Sequence, residues 1–164
     1  MQNLFKAYYH SPIGIIGIES SDTTIGAVFF ADREGDASKN LPEVLLQCLT
    51  ELDEYFAGKR KDFSVSLNQE GTEFQKKVWN HLMGIPFGKT VSYLDIAKRM
   101  ANAKSIRAVG GANGKNKIAI IVPCHRVIGH NFELVGYAGG KWRKQWLLEH
   151  EGAINIGQRT LFDA

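Results

Sequence analysis

A chain of 164 residues, 44% hydrophobic and 23% charged, is long enough for one sizeable core or two small ones and is neither disordered nor collagen-like in composition. Two cysteines exclude a disulfide scaffold or a four-ligand zinc site, and with no signal-like start and no apolar run near the ~20 residues of a membrane span, a cytoplasmic protein is expected. The net charge of +3 is uneven: residues 1–71 carry −5 and residues 72–164 carry +8, so a polyanionic partner suits the second part, although a solvated basic face would give the same count.

In chain order, residues 5–9, 13–18 and 24–30 read as three strands of an antiparallel meander, broken by a Ser-Pro turn and by Asp22. From 41 to 56 the apolar residues Leu45, Cys48, Leu49, Leu52 and Phe56 recur every three or four positions, which predicts an amphipathic helix with Pro42 in its first turn, Gly58 past its end and Cys48 in the core. Residues 63–67 alternate as a further strand, and 68–71 read as a linker that divides the chain into domains 1–71 and 72–164. Thr72 and Gln75 have capping-box spacing ahead of a helix that must stop near Pro86. Ser92 opens another short helix, and after a polar turn Ser105 is placed to cap one through Ile106–Val109, a helix-turn-helix layout. In the second of these helices Ala108, Gly110, Gly111 and Ala112 leave one surface almost bare, at about 1 kcal/mol per glycine. Close approach to a nucleic-acid groove beside Arg107, or close packing on the first helix, would each offset that cost. Trp142, Trp146 and Leu147 share a face of a last helix, over about 141–149, and the two indoles are expected in the core.

The chemistry centres on Pro123-Cys124-His125-Arg126-Val127. The apolar run 118–122 predicts a short buried strand that Pro123 halts, leaving Cys124 and His125 at a strand end. A buried structural cysteine beside a surface histidine is one reading; a nucleophile with its base is the other. As a nucleophile, Cys124 needs a base, because a thiol with a pKa of about 8.5 is mostly protonated at neutral pH. Adjacent side chains on a turn diverge, so His125 would reach the sulfur through a bridging water or after a sharp turn. His125 needs an orienting acceptor, for which Glu151, Glu149 and Glu133 are candidates.

With Arg107-Ala108-Val109-Gly110-Gly111-Ala112, Asn116, Tyr137-Ala138-Gly139-Gly140 and Leu147-Leu148-Glu149-His150-Glu151-Gly152 at matching spacing, the chain resembles the O6-alkylguanine-DNA alkyltransferases. The resemblance covers residues 72–152, with a looser agreement before it. It implies an α+β fold: a ribonuclease-H-like antiparallel sheet with a helix, followed by a mostly helical domain with the helix-turn-helix. It further implies that Cys124 takes the alkyl group irreversibly from guanine O6, or alternatively from O4-alkylthymine, in a nucleotide flipped out of duplex DNA. In that scheme His125 acts as base through water, Glu151 fixes the imidazole, Asn116 holds the turn before the nucleophile and Tyr93 donates to the guanine ring. Arg107 would fill the gap left by the flipped nucleotide, with Ser92, Ala108, Gly110 and Gly111 at the DNA. Tyr137 would wall the pocket, and the backbone around Val127 and Ala138 would contact the base edge. Arg126 is open to a structural ion pair or a phosphate contact. Asn131-Phe132 replaces an Asp-Gly turn common among relatives, which narrows the pocket entrance, and Ala138 stands where some members have Ser. The cysteine and histidine ligands of zinc-bearing members are absent, so no metal or other cofactor is implied, and a monomer is expected. A DNA-binding module without repair chemistry, either a helix-turn-helix regulator or a lesion sensor, and a cysteine hydrolase that turns over are the competing readings.

Overall fold

The computed structural model describes residues 3–101, 105–129 and 136–154. The Asn131-Phe132 turn and Glu133 lie outside them. The fold is α+β and divides into two compact units, the first made of the residues up to Glu70 plus Lys117–Ile121, the second of Gly71–Asn116 and the chain from Val122.

In the first unit, β1 (Phe5–Ser11), β2 (Gly14–Ser20) and β3 (Ile25–Ala31) form the expected antiparallel meander, with Phe5 opposite Ser20 and Ile15 opposite Ala31. Helix α1 (Glu43–Phe56) lies on all three strands and buries Val44, Leu45, Cys48, Leu52 and Tyr55. Pro42 is its N-cap, and Gly58, at φ +76, takes the left-handed turn past its C-terminus that a side chain would resist. Two expected strands are not formed. Residues 63–67 contribute one bridging residue, Leu67, beside Ile25, because Glu51 draws the preceding backbone to the helix: its carboxylate accepts from the amide and hydroxyl of Ser64 at 2.8 and 2.6 Å. Within 118–122 only Ile118 bridges, to Val28. The chain then turns tightly around Ile120, at φ +71, with Ile121 N–H donating to Ala119 O at 2.7 Å. An unbroken apolar run marks burial, and here the buried backbone is a turn.

In the second unit, α2 (Glu73–Met83) starts from the full Thr72–Gln75 capping box and ends before Pro86. Trp79 pins it to α4 (Ile106–Gly114) by donating from Nε1 to Ala112 O at 2.8 Å. Between them, β4 (Val91–Ser92) leads into α3 (Tyr93–Arg99), capped reciprocally by Ser92 and Asp95. Ser105 sits at the N-cap of α4 but makes no side-chain cap, since its ψ of 14° departs from the extended backbone that a capping residue adopts. Strand β5 (Val127–Ile128) pairs in parallel with β4, Val91 beside Val127 and Ser92 beside Ile128, so the Cys-His-Arg segment enters this short ladder at one end and α3 leaves it at the other. Helix α5 (Lys141–His150) buries Lys144, Leu147 and Leu148. Trp142 departs from expectation: it is 56% exposed, because the buried stripe of α5 runs through 144, 147 and 148 and leaves position 142 on the other side. Its ring instead carries the Arg143 guanidinium, 4.5 Å from the centroid, and Trp146 stacks on His150.

Candidate active site

Pro123 sets the local geometry. Its φ of −81° and ψ of 63°, with Cys124 N–H donating to Val122 O at 2.8 Å, make an inverse γ-turn, for which the ring pre-sets φ. Cys124–Arg126 then form one 3-10 turn before β5. Successive side chains on such a turn point about 120° apart, so Cys124, His125 and Arg126 fan into different surroundings, and all three are buried.

His125 is fully buried, and its Nε2 lies 2.8 Å from Glu151 Oε2. Glu151 follows α5 as its C-cap residue, where the helix dipole disfavours a carboxylate. Arg126 compensates with a two-pronged contact, Nε to Oε1 at 2.8 Å and Nη2 to Oε2 at 3.0 Å, while Nη1 donates to Ile85 O at 2.7 Å. With 6% of its surface exposed, Arg126 is a structural ion pair and has no face for a phosphate. Burial works to raise the Glu151 carboxyl, but the charges and hydrogen bonds of His125 and Arg126 hold it well below the usual carboxylate range. An ionised Glu151 fixes the tautomer: Nε2–H donates to it, and Nδ1 carries the lone pair. Nδ1 is buried and makes no hydrogen bond among the described residues, the thiol of Cys124 included. Burial also holds the imidazole below its ordinary value, against the opposing pull of Glu151, so it rests neutral and basic. Of the other two acceptors, Glu149 takes a hydrogen bond from Gln145 at 3.0 Å, and Glu133 is outside the described residues.

Burial pushes the Cys124 thiol up, while a hydrogen bond from Asn116 and the charge of Lys144 pull it back. Asn116 also donates from Nδ2 to Val122 O at 2.8 Å, tying together the two ends of the 117–121 excursion just ahead of the nucleophile. Tyr93 is half-buried, hydrogen-bonds with Asn113 and is electrostatically coupled to Cys124, its phenol raised by burial first and that thiol second. Tyr137 also faces Cys124, and burial keeps its phenol well above the ordinary value. Val127 is buried, its carbonyl accepting from Lys144 Nζ at 2.6 Å, and Ala138 is exposed.

On α4, Arg107, Ala108 and Gly111 are exposed and Gly110 is half-buried. A Cβ at Gly111 would meet nothing within 4 Å, and one at Gly110 would only touch the Tyr93 ring at 4.0 Å. Packing on α3 therefore does not require the bare backbone at Gly111. The Ser92 hydroxyl accepts from Asp95 N–H at 3.0 Å, a capping use that fixes the start of α3.

Two residues of this cluster are not prominent in the sequence. Lys144 is fully buried, its ammonium pushed down to about 8 by burial and raised in turn by Cys124. A lysine three and four positions before the apolar pair Leu147-Leu148 lies on their stripe, and that is the signal it carries. Asn113, 3% exposed, lies between Tyr93 and the Cys124 carbonyl, which accepts from its Nδ2 at 3.4 Å.

The family profile described as 6-O-methylguanine DNA methyltransferase, DNA binding domain, matches residues 73–153, and that described as its ribonuclease-like domain matches residues 4–69. The methylated-DNA–protein-cysteine methyltransferase of Methanosarcina acetivorans is 45% identical over 157 residues, which cover 92% of this chain and 99% of that protein. That of Methanosarcina mazei is 57% identical over 154 residues, covering 88% and 96%. Among solved structures, the O6-methylguanine methyltransferase of Mycobacterium tuberculosis superposes with a TM-score of 0.82 at 38% identity, covering 97% of this chain and 99% of that one. A structure of the same organism's protein in complex with DNA gives 0.80 at 40% identity over 89% and 91%.

Proposed function

The chain belongs to the 6-O-methylguanine DNA methyltransferase family, whose members repair DNA by alkyl transfer to a cysteine, and from that premise we propose that Cys124 is the acceptor and His125, Glu151, Asn116 and Tyr93 its working partners. As a methylated-DNA–protein-cysteine methyltransferase, this protein acts on DNA. The observation that carries the assignment of residues is the buried sequence Arg126–Glu151–His125 with Cys124 on the same 3-10 turn.

The thiol proton passes through a water to His125 Nδ1, and Glu151 stabilises the imidazolium that results. The Cys124 sulfur attacks the alkyl carbon of O6-alkylguanine; the S–C bond forms as the C–O6 bond breaks, and its electron pair returns to the guanine. Tyr93 supplies a proton to the ring so that a neutral base departs, and the imidazolium proton restores the phenol through solvent. The thioether has no comparable leaving path, so one molecule repairs one lesion. Because a duplex hides O6, the nucleotide is flipped into the pocket between Val127, Tyr137 and Ala138, at a cost of a few kcal/mol. Arg107 occupies the gap, and the bare surface of Ala108, Gly110 and Gly111, with Ser92, faces the DNA.

The same reading takes 1–71 and 72–164 as the folding domains and places a monomer in the cytoplasm; no helix among the described residues is long and apolar enough to cross a membrane. A DNA-binding regulator without chemistry would leave the buried imidazole and carboxylate without use. Cys124→Ser tests the assignment. It should abolish transfer from duplex O6-methylguanine and keep wild-type affinity for the same duplex, since α4 is untouched. Residual transfer by the variant would move the acceptor elsewhere.

A further inference from the structure

Among the described residues other than glycine, Asn40, Ala101 and Ile120 have a positive φ. The first two are exposed, and their short side chains meet little resistance there. Ile120 differs: it is β-branched and 1% exposed, and with Ile121 N–H donating to Ala119 O its φ of +71 makes the strained form of the γ-turn. Glycine would take this conformation without steric strain. A strained turn lasts only where its surroundings over-determine it, and here both sides do. Ahead of it, Lys117 O accepts from Val28 N–H and Ala119 N–H donates to Val28 O, each at 2.9 Å, while Gln69 Oε1 accepts from Lys117 N–H at 2.5 Å. Behind it, Val122 O accepts from Asn116 Nδ2 and from Cys124 N–H, each at 2.8 Å. The second of those bonds closes the inverse γ-turn at Pro123, so two γ-turns of opposite hand, centred three residues apart, end on the nucleophile. With so few soft dihedrals between them, the hand of the first turn sets the direction in which the chain delivers Cys124.

We propose that Ile120 is a positioning residue for alkyl transfer: its buried side chain keeps the turn left-handed, anchored from Val28 and Gln69, and so holds Cys124 in line with the alkyl carbon. This rests on the alkyl-transfer reading and adds a residue that reaches the sulfur only through the backbone. Displacing a reacting group by about 1 Å costs on the order of 10²-fold in rate. A relaxed glycine turn would visit both hands and lose that alignment, so the strain is the counterpart of a fixed direction.

Ile120→Ala and Ile120→Gly remove nearly the same packing and differ in the backbone they allow. Alanine keeps the left-handed strain and glycine relieves it, so the unfolding equilibrium constant in urea should be about threefold or more smaller for Ile120→Gly than for Ile120→Ala. Single-turnover transfer at saturating O6-methylguanine duplex should run in the opposite order, with the glycine variant about tenfold or more slower than the alanine variant. Ile120→Val, which keeps the branched side chain, should stay within about twofold of wild type. A residue that only fills the core would let rate follow stability. A glycine variant that transfers as fast as the alanine variant therefore overturns the proposal, and so does a glycine variant that unfolds more readily. Should neither truncation fold, Gln69→Leu decides: it loosens the anchor of the turn with the core intact, and should slow transfer severalfold at unchanged duplex affinity. A wild-type rate for Gln69→Leu overturns the proposal. Wild type that took no methyl group from the duplex at all would fail the alkyl-transfer reading, and this proposal with it.

Discussion

His125 offers its two nitrogens to different surroundings, and the asymmetry sets a pH dependence. The base must be neutral, and burial holds its pKa below the ordinary ~6.5. A depressed pKa keeps the imidazole neutral further into acid, so the single-turnover rate should stay flat from neutrality down through about pH 6.5 and fall below it. Glu151 opposes that depression, so Glu151→Gln should move the acid limb lower still while slowing transfer on the order of 10²-fold. It also strands Arg126 in the interior, at roughly 3–5 kcal/mol of stability; unchanged DNA affinity shows that the assayed protein is folded. An acid limb at or above the ordinary histidine value, or wild-type rates for Glu151→Gln, would contradict the arrangement. Lys144 acts on the thiol from the other side. Removing its charge in Lys144→Met should raise the pH at which Cys124 reacts with iodoacetamide, because the ammonium favours the thiolate; an unchanged or lower midpoint would exclude that influence. The Cys124–His125 pair stood out in the sequence, but three carboxylates were open as the acceptor for the ring, the resemblance alone favoured Glu151, and the fold puts that carboxylate 2.8 Å from the imidazole. Lys144 did not stand out, since a lysine in a helix ordinarily reads as surface, and Trp142 misled in the opposite sense.

Helix α4 shows where pattern reading succeeds and where it stops. Its small residues raised two explanations in the sequence, and the open space around Gly111 removes one of them, close packing on α3, at that position. An alanine there costs nothing sterically and removes the conformational freedom of glycine. Gly111→Ala should therefore raise unfolding free energy in urea by up to about 1 kcal/mol and at the same time weaken binding to duplex DNA severalfold. A gain in stability with unchanged affinity would place the DNA on another surface. The caps at Thr72 and Ser92 were legible because each needs only two residues at fixed spacing. The runs 63–67 and 118–122 were misread as strands because alternation and unbroken apolarity report burial, and a strand needs a partner as well. In the first run Glu51 holds the backbone to α1, and in the second the backbone turns at Ile120.

Across the whole molecule, the acidic and basic portions of the sequence follow its two halves in order, but the compact units do not: Lys117–Ile121 leaves the second half to join the first unit. A linear reading places a boundary where composition changes and has no means to see a short excursion, whose evidence is a bridge from Ile118 to Val28. The two cysteines are also divided between the units and differ in kind. Cys48 lies on the buried face of α1 with its thiol pushed up to about 12, by burial first and the charge of Glu51 second. Cys124 is buried too, but with an imidazole on its own turn and Asn116 and Lys144 bearing on its sulfur. The central claim, that Cys124 receives the alkyl group, is tested most directly by peptide mapping after mixing the protein with an excess of duplex carrying one O6-methylguanine. One methyl group per molecule, on the peptide containing Cys124 and none on that containing Cys48, is the result expected. A methyl group on Cys48, or repaired DNA accumulating over an unmodified protein, would contradict it.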